Sequence, residues 1–271
     1  MEPEATVEAI ARLSDLGLER SQAAQVVERA LALEESAIGL AVAGSYAKRT
    51  ATSDSDLDVV LFTGTPPVAR YMTWFESRLS GRPLHVSLGV REPHEWLKRA
   101  AQPEAWSLGL PARFDAVWLW ATGELRATLG DDPTQHHPAA DAELEDLVET
   151  LIKARRALRI GDAFAARLHA RDAAELMPRL LHLLEPGREV ADRADAIYAA
   201  LELPTVPHGF RADFSVALGL DTAETDVVVA AAFRLGRGTL TLVRERAPHL
   251  DPQPGIATAL QSGVLERLLD D

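Results

Sequence analysis

Two aspartates separated by one residue are the most chemically distinctive feature of the sequence. Asp56 and Asp58 stand at the start of an apolar run within AGSYAKRTATSDSDLDVVLF, residues 43–62. In a strand both side chains face the same side, roughly 7 Å apart at a rise of ~3.3 Å per residue. Two carboxylates at this distance repel each other unless they are protonated or bridged by a cation. Such oxygens suit one or two Mg²⁺ ions, which complete their coordination with water and substrate phosphates.

Phosphate-binding groups precede the aspartates in the same segment. Gly44 lets the backbone approach a ligand closely, and Ser45 supplies a hydroxyl and an N–H at the start of a short predicted helix, Tyr46–Arg49. Lys48 and Arg49 add positive charge, either beside the phosphates or on a solvated loop face. Together these groups predict transfer of a nucleotidyl group from a nucleoside triphosphate. The alternative interpretation is a solvated loop with a capping serine and two strand-edge aspartates.

The elements that would position these residues are predicted from hydrophobic spacing. They are, in chain order, two helices within 3–34 that meet near Gly17, strands at 37–43 and 57–62, a helix from Pro67 to Leu79, a strand at 84–90, a helix at 94–101 and a strand at 114–120. Two buried strands therefore flank the polar loop. This order predicts an α/β domain.

The second half of the chain is predicted to be almost entirely helical. The polar stretch DDPTQHHP, 131–138, is interpreted as the linker that precedes it. The first helix has an apolar stripe formed by Leu144, Leu147, Val148, Leu151, Ile152 and Leu158. The second has a stripe formed by Phe164, Leu168, Leu176, Leu180 and Leu183.

Single residues are predicted to end, cap and kink these two helices. Gly161 is expected to end the first helix and Asp162 to cap the second. Pro178 removes the hydrogen bond to the carbonyl of Ala174 and is expected to kink the second helix. Further helices are predicted at 189–202, 209–218, 222–246 and 254–270. The predicted organisation is a helical extension (1–35), an α/β domain (36–135) and an all-α helical bundle domain (136–271).

The spacing of the site residues resembles a known signature. Gly44-Ser45, ten further residues and Asp56-Leu57-Asp58 before an apolar strand resemble the DNA polymerase β-like nucleotidyltransferase superfamily. The string GSYAKRTATSDSDLD is similar to its bacterial members, which include aminoglycoside and lincosamide nucleotidyltransferases and small nucleotidyltransferase antitoxins. The resemblance covers about residues 36–90, and more loosely 91–130. It implies a small mixed-sheet nucleotidyltransferase domain, and it likens the helical half to acceptor-binding bundles by architecture alone.

One position departs from the pattern of this family. Members usually carry a third carboxylate on the later strand, but no acid lies between Gly81 and Arg91 here. His85, or Ser87 on the same face, stands where that acid is expected. His85 is interpreted either as a metal ligand or base in its neutral form, or as a half-buried, hydrogen-bonded histidine. Glu175 is a candidate general base from the second domain, by analogy with antibiotic nucleotidyltransferases.

Composition limits the classes of partner and location. The formal net charge of −13 argues against sequence-independent binding of duplex nucleic acid, and it suits a cationic substrate. The absence of cysteine leaves oxygen and imidazole as metal ligands. No apolar run approaches the ~18 residues of a membrane span, and the acidic N-terminus differs from a secretory signal. We therefore expect a cytoplasmic protein that acts away from membranes.

Three functions remain open from the sequence. The first is Mg²⁺-dependent transfer of a nucleoside monophosphate, AMP from ATP, to a hydroxyl of a small molecule. Aminoglycoside-like molecules are candidate acceptors. The second is a regulatory nucleotidyltransferase that acts on a protein acceptor, as the antitoxins do. RERAPH, 244–249, is the only match in residues 138–271 to the ribonuclease motif of partner toxins, and its proline does not suit a helical active site. The third is a catalytically weakened nucleotide-binding module.

Overall fold

The computed structural model describes residues 3–34, 36–76, 83–247, 258–259 and 262–263. Its contacts divide the chain into two compact units. The first comprises residues 1–102 and 113–137, and the second comprises 103–112 and 138–271. The domain bounds drawn from the sequence stay a prediction, although the contacts place 103–112 with the helical half and the N-terminal helices with the sheet.

The first unit is built on a mixed sheet. Its elements are α1 (Pro3–Asp15), α2 (Arg20–Ala32), β1 (Ala37–Ala43), α3 (Gly44–Ala47), β2 (Leu57–Thr63), β3 (Tyr71–Glu76), β4 (Leu84–Arg91), α4 (Pro93–Ala100), β5 (Ala112–Phe114), β6 (Ala116–Ala121), α5 (Gly123–Leu129) and β7 (Gln135–His137). Five strands pair in the order β3-β4-β2-β1-β6, and β5 pairs with β7 separately. Only the β2–β4 pairing within the five-stranded sheet is parallel. The strand β2, which contains Asp58 and directly follows Asp56, is third of the five and therefore central.

The two faces of the sheet bury different residues because side chains alternate along each strand. On one face Leu57, Val59 and Leu61 of β2 pack with α1 and α2 in one apolar cluster. On the other face Val60 and Phe62 pack with Trp96 of α4 and with residues of α5 and β6. This second face also carries Asp58, one alternation before Val60. The candidate site at Asp58 therefore lies on the same sheet face as Val60 and Phe62, next to the part of that face that is buried.

The prediction of a helix from Pro67 to Leu79 is wrong. Residues 71–76 form β3, the edge strand of the sheet, and 77–79 lie outside the described residues. Trp74 faces the core at 5% exposure, whereas Tyr71 and Phe75 are more than half exposed. Apolar side chains on both faces of the strand produced spacing that resembles a helix.

The stretch 131–138 is not a free linker, because it contains β7. Gln135 and His137 are both buried. The Nε2 atom of Gln135 donates to the carbonyl of Trp96. The Nδ1 atom of His137 lies 3.2 Å from the carbonyl oxygen of Arg99 and 3.1 Å from that of Gln102. These two side chains contact carbonyl groups within α4 and just beyond its end, which the polar composition of the stretch did not reveal.

The second unit contains the predicted bundle. Its helices are α6 (Leu144–Arg159), α7 (Ala163–Leu184), α8 (Arg193–Leu201), α9 (Phe210–Ala217) and α10 (Thr225–Arg246). The cap of α7 is confirmed, because the Asp162 side chain accepts from the N–H of Ala165 at 3.0 Å. Most of the helix predicted at 254–270 lies outside the described residues. No helix of the described residues has the length and apolar character needed to cross a membrane.

The apolar stripe predicted for α7 is partly wrong. Phe164 is 79% exposed and Leu168 is 45% exposed, whereas Leu180 is buried as expected. The rest of the buried face combines four small residues, Ala166, Ala170, Ala173 and Ala174, with the larger Met177 and Leu181. Small side chains let α6 and α10 approach α7 closely. Pro178 lies buried inside this helix, and the kink expected there stays a prediction.

Candidate active site

The two aspartates lie at the start of the central strand. Asp58 is opposite Ala43 of β1 on one side and opposite Ser87 of β4 on the other. Asp56 immediately precedes β2, and its side chain is 53% exposed. The Ser87 hydroxyl donates to the Oδ1 atom of Asp58 at 3.1 Å. The strand pairing thus fixes one carboxylate, while the other remains open to solvent.

The electrostatics of the pair favour a cation. Burial raises the pKa of Asp58, and the negative charge of Asp56 raises it further. The hydrogen bond from Ser87 and the nearby His85 act in the opposite direction. The environment therefore disfavours the ionised form of Asp58 until a positive charge is supplied. A divalent cation bound by both carboxylates would supply that charge.

The loop between β1 and β2 brings Gly44 against Asp58. Gly44 has a φ of +63°, and a Cβ atom at this position would lie 2.5 Å from the Oδ2 atom of Asp58. A side chain is excluded here on both conformational and steric grounds. The hydroxyl of the next residue, Ser45, is buried and has no hydrogen-bond partner among the described residues. An orphaned hydroxyl beside a carboxylate pair fits a site that receives a polar ligand.

Lys48 and Arg49 follow directly after α3. The N–H of Lys48 donates to the carbonyl of Gly44, and the N–H of Arg49 donates to that of Tyr46, both at 3.1 Å. Arg49 is exposed and has a φ of +58°, in the left-handed region that non-glycine residues rarely occupy. These bonds turn the chain away from α3. Contact of either side chain with a triphosphate stays a prediction.

His85 lies on the same face as the aspartates. Its Nδ1 atom is 3.9 Å from the Oδ2 atom of Asp56, and its Nε2 atom is 2.5 Å from the Oγ1 atom of Thr73. The ring of Phe75 lies over the imidazole, with centroids 5.1 Å apart. Asp56 and His85 also line a cleft of about 500 Å³, together with Ser53, Asp54, Ser55 and Pro83.

Thr73 and Phe75 were missed by sequence reasoning because both stand in the segment that was predicted to be helical. The composition of YMTWFE, 71–76, could have indicated a strand, because β-branched and aromatic residues favour strands. In a strand, Thr73 and Phe75 share one face by alternation.

Glu175 lies on α7 in the second unit. Its Oε1 atom accepts from the Nε atom of Arg171 at 2.9 Å and from the Nη2 atom of Arg193 at 2.5 Å. Two guanidinium groups thus engage this carboxylate in an ion-pair network. The role of Glu175 as a general base stays a prediction.

A second group of possible metal ligands lies at the junction of β4 and α4. Glu92, His94 and Glu95 place their ligand atoms within 4.8 Å of one another. Glu95 is already engaged by Arg70, and this hydrogen bond lowers the pKa of Glu95. Glu92 is five residues beyond Ser87, or ~16 Å at ~3.3 Å per residue. This cluster is therefore separate from the aspartate pair.

Comparisons with known proteins agree with this arrangement. The family model described as a nucleotidyltransferase domain matches residues 24–104. The one described as a nucleotidyltransferase substrate-binding domain matches residues 143–245. No curated protein matches the chain. The crystal structure of a nucleotidyltransferase-like protein from Exiguobacterium sibiricum 255-15 is similar at 15% identity, covering 93% of this chain and 78% of that chain. Its TM-score of 0.41 is too low to support an argument.

A mixed sheet with a carboxylate pair at the start of its central strand, followed by a helical substrate-binding region, is the arrangement of a nucleotidyl-transferring enzyme. The two family models together cover more than half of the 271 residues. The chain belongs to the DNA polymerase β-like nucleotidyltransferase superfamily. The family inferred from Gly44, Ser45, Asp56 and Asp58 is thus confirmed, as is the fold class of a mixed-sheet domain followed by a helical one.

Proposed function

We propose that the protein transfers AMP from ATP to a hydroxyl group of a small molecule, with Mg²⁺ held by Asp56 and Asp58. The observation that carries this proposal is the contact between Gly44 and Asp58. The backbone at Gly44 passes so close to the Asp58 carboxylate that a Cβ atom would lie 2.5 Å from it. Glycine at this position lets the phosphate-binding loop and the carboxylate come together with no side chain between them.

The aspartates are assigned to the metal ion, and the residues of the loop before them are assigned to the triphosphate. Asp56 and Asp58 would hold the cation, and a bound cation would polarise the attacked phosphorus and balance the charge of the leaving pyrophosphate. Ser45 offers its unpaired hydroxyl, and the Gly44 backbone lets the triphosphate approach closely. Lys48 and Arg49 add positive charge beside the phosphates. The cleft lined by Asp56 and His85 is large enough, at about 500 Å³, to receive part of a nucleotide.

The second unit offers a site for the acceptor. A cleft of about 490 Å³ is lined by three carboxylates and one guanidinium, on Glu104, Asp172, Glu175 and Arg179. Four of its ten lining residues, Asp172, Glu175, Leu176 and Arg179, lie within the range of the substrate-binding family model. An excess of negative charge favours an acceptor that carries amino groups as well as hydroxyls. Aminoglycoside-like molecules have this chemistry.

The test is transfer of radiolabel from [α-³²P]ATP to a panel of aminoglycosides, neutral sugars and proteins. We expect label on an amino-bearing small molecule, and we expect Asp58→Asn to abolish it. Asp15→Asn is the matched control, because Asp15 is exposed in the same unit and loses the same charge. Label on proteins alone would favour the regulatory alternative. ATP binding without transfer to any acceptor would favour a nucleotide-binding module.

A second test addresses the acceptor cleft. Asp172→Asn removes one lining charge without touching the Glu175 ion pairs, so we expect a higher KM for the acceptor with little change in kcat. Asp141→Asn, an exposed change in the same unit, is the control. An unchanged acceptor KM in the Asp172 variant would contradict the assignment of this cleft.

A further inference from the structure

Two neighbouring strands hold the imidazole of His85 in one orientation. The register of β3 and β4 places Phe75 opposite His85 and Thr73 opposite Ser87. Thr73 is therefore a diagonal neighbour of His85, within reach of a long side chain. Its Oγ1 atom lies 2.5 Å from Nε2, while the Phe75 ring covers the imidazole at an interplanar angle of 31°. A hydrogen bond and a ring contact together restrict a side chain that is 38% exposed.

The two ring nitrogens of His85 face different groups. Nε2 contacts Thr73, and Nδ1 faces Asp56 with 3.9 Å to its Oδ2 atom. This separation is too long for a hydrogen bond. Two ligands of one six-coordinate ion with bonds of ~2.1 Å lie ~3.0 Å apart when adjacent and ~4.2 Å apart when opposite. The distance from Nδ1 to Asp56 falls within that interval.

The Thr73 hydroxyl can accept from or donate to Nε2 of His85, and the tautomer in which Nε2–H donates leaves the lone pair on Nδ1. A neutral imidazole carries one N–H and one lone pair, and a metal ion binds the lone pair. When Nε2–H donates to the Thr73 oxygen, the lone pair is on Nδ1 and points toward Asp56. Histidine ligands of metals ordinarily donate their other N–H to an oxygen in this way.

We propose that Thr73 orients His85 so that Nδ1 binds the same divalent cation as Asp56 and Asp58. The site then has two carboxylates and one imidazole, in a family where a third carboxylate is usual. This inference rests on the proposed function and adds a third ligand and a positioning residue to the same site. Because imidazole suits transition metals better than Mg²⁺, the affinity for Mn²⁺ relative to Mg²⁺ should exceed that of a site with three carboxylates.

The first experiment titrates Mn²⁺ or Mg²⁺ alone into the full chain by calorimetry. His85→Asp restores a third carboxylate, so we expect the ratio of Mn²⁺ to Mg²⁺ affinity to fall in that variant. Thr73→Val keeps the shape of Thr73 without the hydroxyl and should weaken Mn²⁺ binding by about 10- to 100-fold. Thr73→Ser should restore it. Unchanged Mn²⁺ affinity in Thr73→Val would refute the role of Thr73.

The second experiment uses pulsed electron paramagnetic resonance of bound Mn²⁺. Nitrogen coupling from a directly bound imidazole should be present in the wild type and absent in His85→Asp. His94→Gln should keep it, which separates His85 from the other candidate cluster. If Asp56→Asn abolishes Mn²⁺ binding but the wild type has no nitrogen coupling, this inference fails and the proposed function stands. If Asp56→Asn leaves Mn²⁺ binding unchanged, the metal site itself fails.

Discussion

Substitution of Gly44 by alanine tests the central contact of the site directly. Gly44 has a φ of +63°, and its Cβ position lies 2.5 Å from the Oδ2 atom of Asp58. Since real Cβ atoms essentially never approach within 3.0 Å, the Asp58 oxygen must move by at least about 0.5 Å. The variant therefore displaces a carboxylate that we assign to the metal without removing it.

The magnitude has two parts. The left-handed backbone costs alanine about 1–2 kcal/mol of folding free energy. The displacement of Asp58 acts on catalysis, where a misplacement of ~1 Å costs on the order of 10²-fold in rate. For a shift about half as large, we expect Gly44→Ala to lower nucleotidyl transfer by about 10-fold or more and to weaken Mn²⁺ binding.

The assay compares transfer from labelled ATP, Mn²⁺ affinity and the thermal midpoint in three proteins: the wild type, Gly44→Ala and Gly17→Ala. Gly17 has a φ of +102° but no atom within 4 Å of its Cβ position, so its substitution strains the backbone without a clash. We expect both variants to be less stable and only Gly44→Ala to lose binding and transfer. Wild-type Mn²⁺ affinity in Gly44→Ala would refute the reasoning.

Three further predictions concern stability. The pKa of Asp58 is raised above 3.8 in the folded protein, so the folded state holds this proton more tightly than the unfolded chain does. The free energy of unfolding should therefore fall as pH rises from 3.8 through the raised pKa. Asp58→Asn should therefore raise the thermal midpoint in EDTA, while Mn²⁺ should stabilise only the wild type; a lower midpoint in EDTA would contradict the electrostatic account. Burial lowers the pKa of His182, whose Nδ1 atom accepts from the N–H of Gly187 at 2.9 Å. The free energy of unfolding should fall as pH decreases from 6.5 through that lowered pKa, and His182→Gln should flatten this dependence in urea melts at several pH values. Asp162→Ala removes the cap of α7 and should cost about 1 kcal/mol in the same melts, with Asp162→Asn retaining most of it; equal loss in both would argue against the cap.

Elements and site residues could be predicted from the sequence where a local pattern was enough to specify them. The apolar strands β1 and β2 have nearly continuous burial, and the glycine, serine and aspartates between them occur at fixed offsets. Local chemistry was therefore enough to predict both the strands and the carboxylate pair. The cap at Asp162 was predictable for the same reason, since it depends on residues within one turn.

Prediction failed where tertiary context decides. The edge strand β3 exposes Tyr71 and Phe75 while burying Trp74, so its apolar residues do not alternate with polar ones. Four of the nine buried residues of α7 are alanines, which a count of large apolar residues overlooks. Gln135 and His137 are polar by composition, yet they are buried because backbone carbonyls near the end of α4 bind them.

The position of the third carboxylate was predictable in part and missed in part. Its absence was visible in the sequence, because no acid lies between Gly81 and Arg91. His85 was visible too, as the residue that stands in its place, but the partner that we propose orients it was not, because Thr73 lies in the strand that spacing assigned as helix. The fold disfavours the charge of Asp58, and a hydrogen bond from the Ser87 hydroxyl holds that carboxylate. A third ligand with no negative charge adds no further repulsion to this pair, so His85 can complete the metal site at a lower electrostatic cost to the metal-free fold than an acid would.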